Sequence, residues 1–105
     1  MSIPSSKFFV GQVVYHNLFR YRGVVVDVDP SYQKDPVWYD LMARTRPPKE
    51  QPWYQILVHG SQSESYVAER NLQIDSTSEP IENPNLHKYF VLFSNGLYQP
   101  KNTVH

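Results

Sequence analysis

The stretch Gly23-Val24-Val25-Val26-Asp27-Val28-Asp29-Pro30 constrains this chain more than any other. A branched Cβ stiffens χ1 and suits a pleated surface better than a helix, so four valines in five positions predict a strand. The alternation at its end predicts Val24, Val26 and Val28 on an inner face, with Asp27 and Asp29 on the outer one. Pro30 must end the strand, because proline cannot donate to a ladder. A second run, Trp53-Tyr54-Gln55-Ile56-Leu57-Val58-His59, has the same character, and Gly60-Ser61 follows it as a turn. Ser65-Tyr66-Val67-Ala68 is the expected hairpin partner. Lys7 to His16 reads as entry into another strand, and Glu69 to Ile74 as a one-turn helix with a short strand after it.

Helical signals are local. Asp35 can cap a short helix reaching Arg44, with Pro36 at its first position and Trp38, Leu41 and Met42 on one stripe. Pro47, Pro48 and Pro52 then impose an extended loop. The C-terminal part supports two readings. Leu86, Tyr89, Phe90 and Phe93 fall at helical spacing after Asn83-Pro84, and a C-terminal helix is the expectation. Tyr89 to Phe93 also suits a strand, with Asn95-Gly96 as a hairpin turn. The fold class expected is mainly β: a small SH3-like or related β-barrel with a short inserted helix and a C-terminal helix. The 105 residues suit one domain, with a core over about 7–74 and a tail over 75–105 packing on it.

Composition narrows the chemistry. The chain has no cysteine, which removes disulfides, thiolate catalysis and Cys-rich zinc sites. His16, His59, His87 and His105 form no helix-spaced pair, so no metal ligand set is expected. Asp27 and Asp29 stand roughly 6–7 Å apart along a strand, but a solvated strand face accounts for them. No Gly-x-Ser-x-Gly elbow occurs, and four scattered glycines cannot build a phosphate loop. A non-enzymatic protein without cofactors is therefore the expectation. The apolar run Tyr89 to Phe93 is far short of a membrane span, and the first seven residues lack the apolar stretch of a signal peptide. A cytoplasmic location follows as an expectation.

Ten basic and ten acidic side chains cancel. Residues 1–50 carry seven basic groups (Lys7, Arg20, Arg22, Lys34, Arg44, Arg46, Lys49) against five acidic ones, a weak asymmetry. Within it, Arg20 and Arg22 flank Tyr21 on a turn, and Arg44, Arg46 and Lys49 form a second basic group. Guanidinium groups interleaved with aromatic rings can hold phosphates while packing on sugars and bases. Solvated arginines beside a barrel-sealing Phe19 and Tyr21 would give the same pattern.

Four ordered blocks resemble the hemimethylated DNA-binding domain family, also called YccV-like, which includes the heat shock protein HspQ. They are Phe9-Val10-Gly11-Gln12-Val13-Val14-Tyr15-His16, Tyr21-Arg22-Gly23-Val24-Val25-Val26-Asp27-Val28-Asp29-Pro30, Pro52-Trp53-Tyr54-Gln55-Ile56-Leu57-Val58 and Tyr66-Val67-Ala68-Glu69-Arg70-Asn71-Leu72. The tail, with Tyr89-Phe90, Phe93 and Tyr98-Gln99-Pro100, looks more like the longer family form than like HspQ's charged tail. The resemblance implies a small β-barrel and two lines of function. One is binding to duplex DNA methylated on one strand; the other is a stress-response adaptor role beside an ATP-dependent, Lon-type protease. It also implies homo-oligomers, trimers among them. For DNA, Arg20, Arg22, Arg44, Arg46 and Lys49 are the candidate phosphate contacts and Tyr21 the aromatic one. Arg22 lies inside a family block; the others follow from charge and loop placement. For the adaptor role, Trp38, Trp53, Tyr54 and the tail aromatics are candidate contacts, although Trp53 heads a strong strand and is expected in the core.

Overall fold

The structure, a computed structural model, describes residues 6–42 and 45–101. Seven strands and one short helix form it: β1 (Val13–His16), β2 (Arg22–Asp29), α1 (Pro36–Met42), β3 (Trp53–Val58), β4 (Glu64–Ala68), β5 (Leu72–Ile74), β6 (Phe90–Ser94) and β7 (Leu97–Pro100). Single 3-10 turns occupy Glu69–Asn71 and Leu86–Lys88. Strands β1 to β5 make one antiparallel sheet in the order β4-β3-β2-β1-β5, and β6-β7 is a separate hairpin. The expected barrel is not closed, because β4 and β5 remain the two edges of that sheet and form no ladder together. The Glu69–Asn71 turn sends the chain from one edge to the far side, where β5 pairs with β1.

Both faces of the sheet are covered, and this alters the reading of β2. Between Val25 and Asp27 the register against β3 slips by one residue, a bulge at Val26. Val25 and, beyond the bulge, Val28 therefore lie on the face with Tyr54 and Ile56. Val24 and Val26 face the other way, towards Leu57, Ile81, Phe90 and Tyr98. Three consecutive buried valines replace the expected alternation, since each face has its own apolar cover.

That second cover comes from the C-terminal segment, and it is not helical. Asn95 and Gly96 both take positive φ, 53° and 79°, which is what a two-residue hairpin turn matched to strand twist demands. Ser94 pairs with Leu97 across it. Only residues 86–88 of the predicted stripe turn, as a 3-10 element. Gly11, at φ 97°, receives the hairpin: its carbonyl accepts from Tyr98 N at 2.8 Å, and a Cβ there would stand 2.1 Å from Tyr98 O.

Helix α1 starts as its signals require. Asp35 Oδ1 accepts from Val37 N at 2.6 Å, the N-cap bond, with Pro36 at the first helical position. The buried residue is Tyr39 rather than the predicted stripe, and Leu41 and Met42 are exposed. Tyr39, Trp53 and Ala68 form a third cluster, with Tyr32, Trp38 and Tyr66 against it.

Candidate nucleic-acid interface

This third cluster is an aromatic platform. Tyr66 stacks on Trp53 at 5.3 Å between ring centres, and Tyr32 meets Trp53 edge-on at 5.0 Å. Its hydroxyls are fixed by the chain. Tyr66 OH donates to Asp29 Oδ2 at 2.6 Å, Tyr39 OH to Pro47 O at 2.6 Å, and Trp53 Nε1 to Pro48 O at 3.1 Å. The prolines of the 47–52 loop thus supply acceptors, and their own missing donors leave no orphan N–H. Burial, then the Asp29 hydrogen bond, pushes the Tyr66 phenol far above its ordinary range, so it stays a donor.

Cations gather on this platform. Lys49 Nζ lies 4.3 Å from the Tyr39 ring centre and 5.9 Å from that of Tyr32. The Arg46 guanidinium stands 4.9 Å over Tyr39 and reaches Asp40 at 3.2 Å. Lys34 Nζ sits 5.0 Å over Tyr66. Each is within the range of cation–π attraction. Lys34 was missed by reading the sequence, although its place two residues after Tyr32 carried the same cation-beside-aromatic signal.

The other predicted group lies on the β1–β2 turn. His16 is buried and its Nδ1 accepts from Leu18 N and Phe19 N at 3.1 and 3.0 Å. Burial lowers its pKa, which keeps that lone pair available. Phe19 stacks on the His16 ring at 4.7 Å, and Tyr21 OH shares a 2.6 Å hydrogen bond with Ser65 Oγ. Arg20, between them, is exposed and held at φ 61°. Phe19 and Tyr21 form one wall of an open cleft of about 600 Å³, with Lys34, Trp38 and Met42 on the other. Of the two candidate groups Tyr21 lines this cleft, whereas Arg20, Arg46 and Lys49 do not; its charged lining is Lys34 and Glu64.

Arg22 stands apart from both. Its guanidinium pairs with Asp75 at 3.1 Å, donates to the carbonyls of Glu79 and Pro80, and its side chain is only 18 % exposed. It ties β2 to the 75–80 segment, and Asp75 offsets its charge. Arg44 lies outside the described residues. Among the described residues, the ion pairs are Arg22–Asp75 and Arg46–Asp40, which leaves Arg20, Lys34 and Lys49 without a carboxylate partner.

The remaining polar candidates are engaged locally. Asp27 Oδ1 accepts from Val28 N, Asp29 holds Tyr66, and His59 Nδ1 accepts from Glu82 N. His105 lies outside the described residues. Among the described residues, no three His, Asp or Glu side chains gather as a metal would require, and no helix is long and apolar enough to cross a membrane. Trp53 is buried, as its strand predicts. Of the tail, the aromatics Phe90 and Tyr98 turn inward, while Val91, Leu92 and Leu97 are exposed.

The family model described as "Hemimethylated DNA-binding protein YccV like" matches residues 6–97.

Proposed function

Because the chain belongs to the YccV-like family, we propose that it is a non-enzymatic DNA-binding module, gripping duplex phosphates with Arg20, Lys34, Arg46 and Lys49. One observation carries this reading. Among the described residues, four non-glycine positions have positive φ, and two are Arg20 (61°) and Arg46 (51°). An arginine in the left-handed region costs roughly 1–2 kcal/mol that glycine would avoid. Strain of that kind, held where the Arg46 guanidinium lies over the Tyr39 ring and Arg20 is exposed on the β1–β2 turn, fits a contact role. The neutral whole supplies little steering, so affinity has to come from this local set.

Preference for hemimethylated duplex needs more than a methyl contact. The N6 position of adenine faces the major groove, where a methyl can be touched by an apolar side chain. One buried methyl gives about 0.8 kcal/mol, close to a fourfold preference. Phe19 and Met42, exposed beside the cationic set, are the apolar groups available for it. Sharper discrimination requires several subunits or shape selection. Arg22 and Arg44 remain part of the proposal in different roles: Arg22 as a tie beneath the surface, Arg44 as a further phosphate contact.

Fluorescent duplexes, unmethylated, hemimethylated and fully methylated, titrated over a salt series, test the reading. Five phosphate contacts, Arg44 included, give a log–log slope near −4.5. No binding at low salt would refute it, and equal affinity for the three duplexes would refute the methylation preference.

A second reading, a protease-adaptor role, draws on the exposed Val91, Leu92 and Leu97 of the hairpin, an apolar surface suited to a protein partner. Pull-down with a Lon-type protease and a degradation assay address it.

A further inference from the structure

Strand β4 is an edge strand, and its outward hydrogen-bonding groups are open. Val58 N donates to Ser63 O, and Glu69 N donates to Pro52 O, at 3.0 Å each. With Tyr54 opposite Val67 and Ile56 opposite Ser65, the residues bonded inward to β3 are Ser63, Ser65, Val67 and Glu69. Glu64 and Tyr66 therefore point their N–H and C=O groups away from the sheet, and no main-chain partner for them occurs among the described residues. Proline, lysine and bulge are absent from this edge: β4 reads Glu-Ser-Tyr-Val-Ala, and its one charge, Glu64, is engaged by Gln55 Nε2 and Tyr89 OH.

This edge lies along the cleft, between two walls. Phe19, 62 % exposed, rises from the β1–β2 turn, while Trp38 and Met42, the latter 60 % exposed, rise from α1. Of the α1 stripe, Met42 and the half-buried Trp38 thus face the cleft. We propose that this cleft takes an extended peptide by strand addition to β4. Alternate side chains of the peptide pack against Phe19 and against Trp38 and Met42, and an acidic residue of the peptide meets Lys34, a cation with no carboxylate partner among the described residues. Walls on both sides of the edge favour a single extended segment over the sheet of a second copy. The five residues of β4 span roughly 17 Å, the length of an ordinary strand pairing.

The peptide reading shares Lys34, Phe19 and Met42 with the DNA reading but rests on the β4 edge, and salt separates the two. The probe is a fluorescein-labelled nonapeptide of alternating valine and threonine with a central phenylalanine, a glutamate near each end and blocked termini. Its twin carries N-methyl groups on alternate residues. The expected result is binding that persists at 0.5 M salt, on the order of the concentration at which the Debye length falls to a few ångströms. In the ¹⁵N-labelled protein, amide exchange at Glu64 and Tyr66 should slow about tenfold at saturation. The methylated twin should bind at least about tenfold weaker, the loss expected of one or two main-chain hydrogen bonds. Phe19→Ser and Met42→Gln, both at exposed positions, should each weaken binding about fivefold. Three results would overturn the proposal: no binding at millimolar peptide, indifference to N-methylation, or protection mapped to another surface. Protection of the same amides without peptide, rising with protein concentration, would overturn it too, since a second copy would then occupy the edge.

Discussion

Replacing Tyr54 by phenylalanine removes one oxygen from the centre of the molecule and should cost more stability than its size suggests. Tyr54 is fully buried. Its OH donates to Glu69 Oε2 at 2.5 Å and accepts from Phe8 N at 3.3 Å. The same Glu69 oxygen accepts from Lys7 N at 2.9 Å, so one phenol and one carboxylate join β3, the turn after β4 and the N-terminal segment. Burial, then the hydrogen bond to Glu69, holds the phenol far above its ordinary range, and it remains a donor throughout the accessible pH range. A hydrogen bond to a charged group contributes about 1.5–3 kcal/mol, and the longer Phe8 bond adds roughly 0.5–1. Tyr54→Phe should therefore lose about 2–4 kcal/mol. For a domain of this length that lowers Tm by about 10–25 °C. Urea unfolding followed by tryptophan fluorescence and far-UV circular dichroism measures it, with the slope m unchanged. Glu69→Gln and the double variant complete a cycle, in which a coupling of about 1–2 kcal/mol is expected. A loss below about 0.5 kcal/mol, or strict additivity, would refute the argument that this pair pins the three segments.

Other perturbations test other contacts. Gly11→Ala drives a methyl into Tyr98 O at a left-handed φ, and should cost about 2–4 kcal/mol with loss of the hairpin's near-UV signal. Arg20→Gly should relieve the strain at φ 61°, raising stability by about 0.5–1 kcal/mol in urea, while shifting the DNA salt slope by about 0.9 towards zero. His16 gives a pH dependence of definite sign. Its folded pKa lies below the unfolded 6.5, so the unfolded chain binds the extra proton first. Its contribution is complete above about pH 7 and declines as pH falls below 6.5, with faster exchange at the Leu18 and Phe19 amides. Asp75 acts in a lower window. Burial raises its pKa, but the hydrogen bonds from Thr77 and Arg22 outweigh it and leave it lowered. Its contribution is present above about pH 4 and is lost as pH falls through the folded value; Asp75→Asn should flatten stability there.

How much the sequence disclosed depended on where the deciding contact lay. The start of α1 was legible because Asp35 and Pro36 act on their immediate neighbours. The side it buries was not, because Tyr39 is drawn in by Trp53 and by the Pro47 carbonyl, both remote from the helix. In the tail, helical spacing and an Asn-Gly turn competed on equal local terms. The docking of Phe90 and Tyr98 on the sheet at Gly11 decided for the hairpin. Of the candidate site, Arg46 and Lys49 proved to share one aromatic platform. Lys34 joined them only through Tyr66, far along the chain, and Arg22 was withdrawn into an ion pair with Asp75 that no spacing could reveal.

The valine run with which the chain is most sharply marked did determine a central strand ending at Pro30, since branching and a missing donor act at the residue itself. Family membership was equally visible, in four blocks whose order needs no coordinates. Tertiary structure alone decided that both faces of that strand are buried and that Val26 bulges. It also left the sheet open, with β4 as an exposed edge beside an aromatic cleft lined by Lys34 and Glu64. The reason is one of range. Propensity, capping and turn chemistry act over a few residues, whereas burial, ion pairing and edge exposure are set by whichever distant segment arrives to cover a surface.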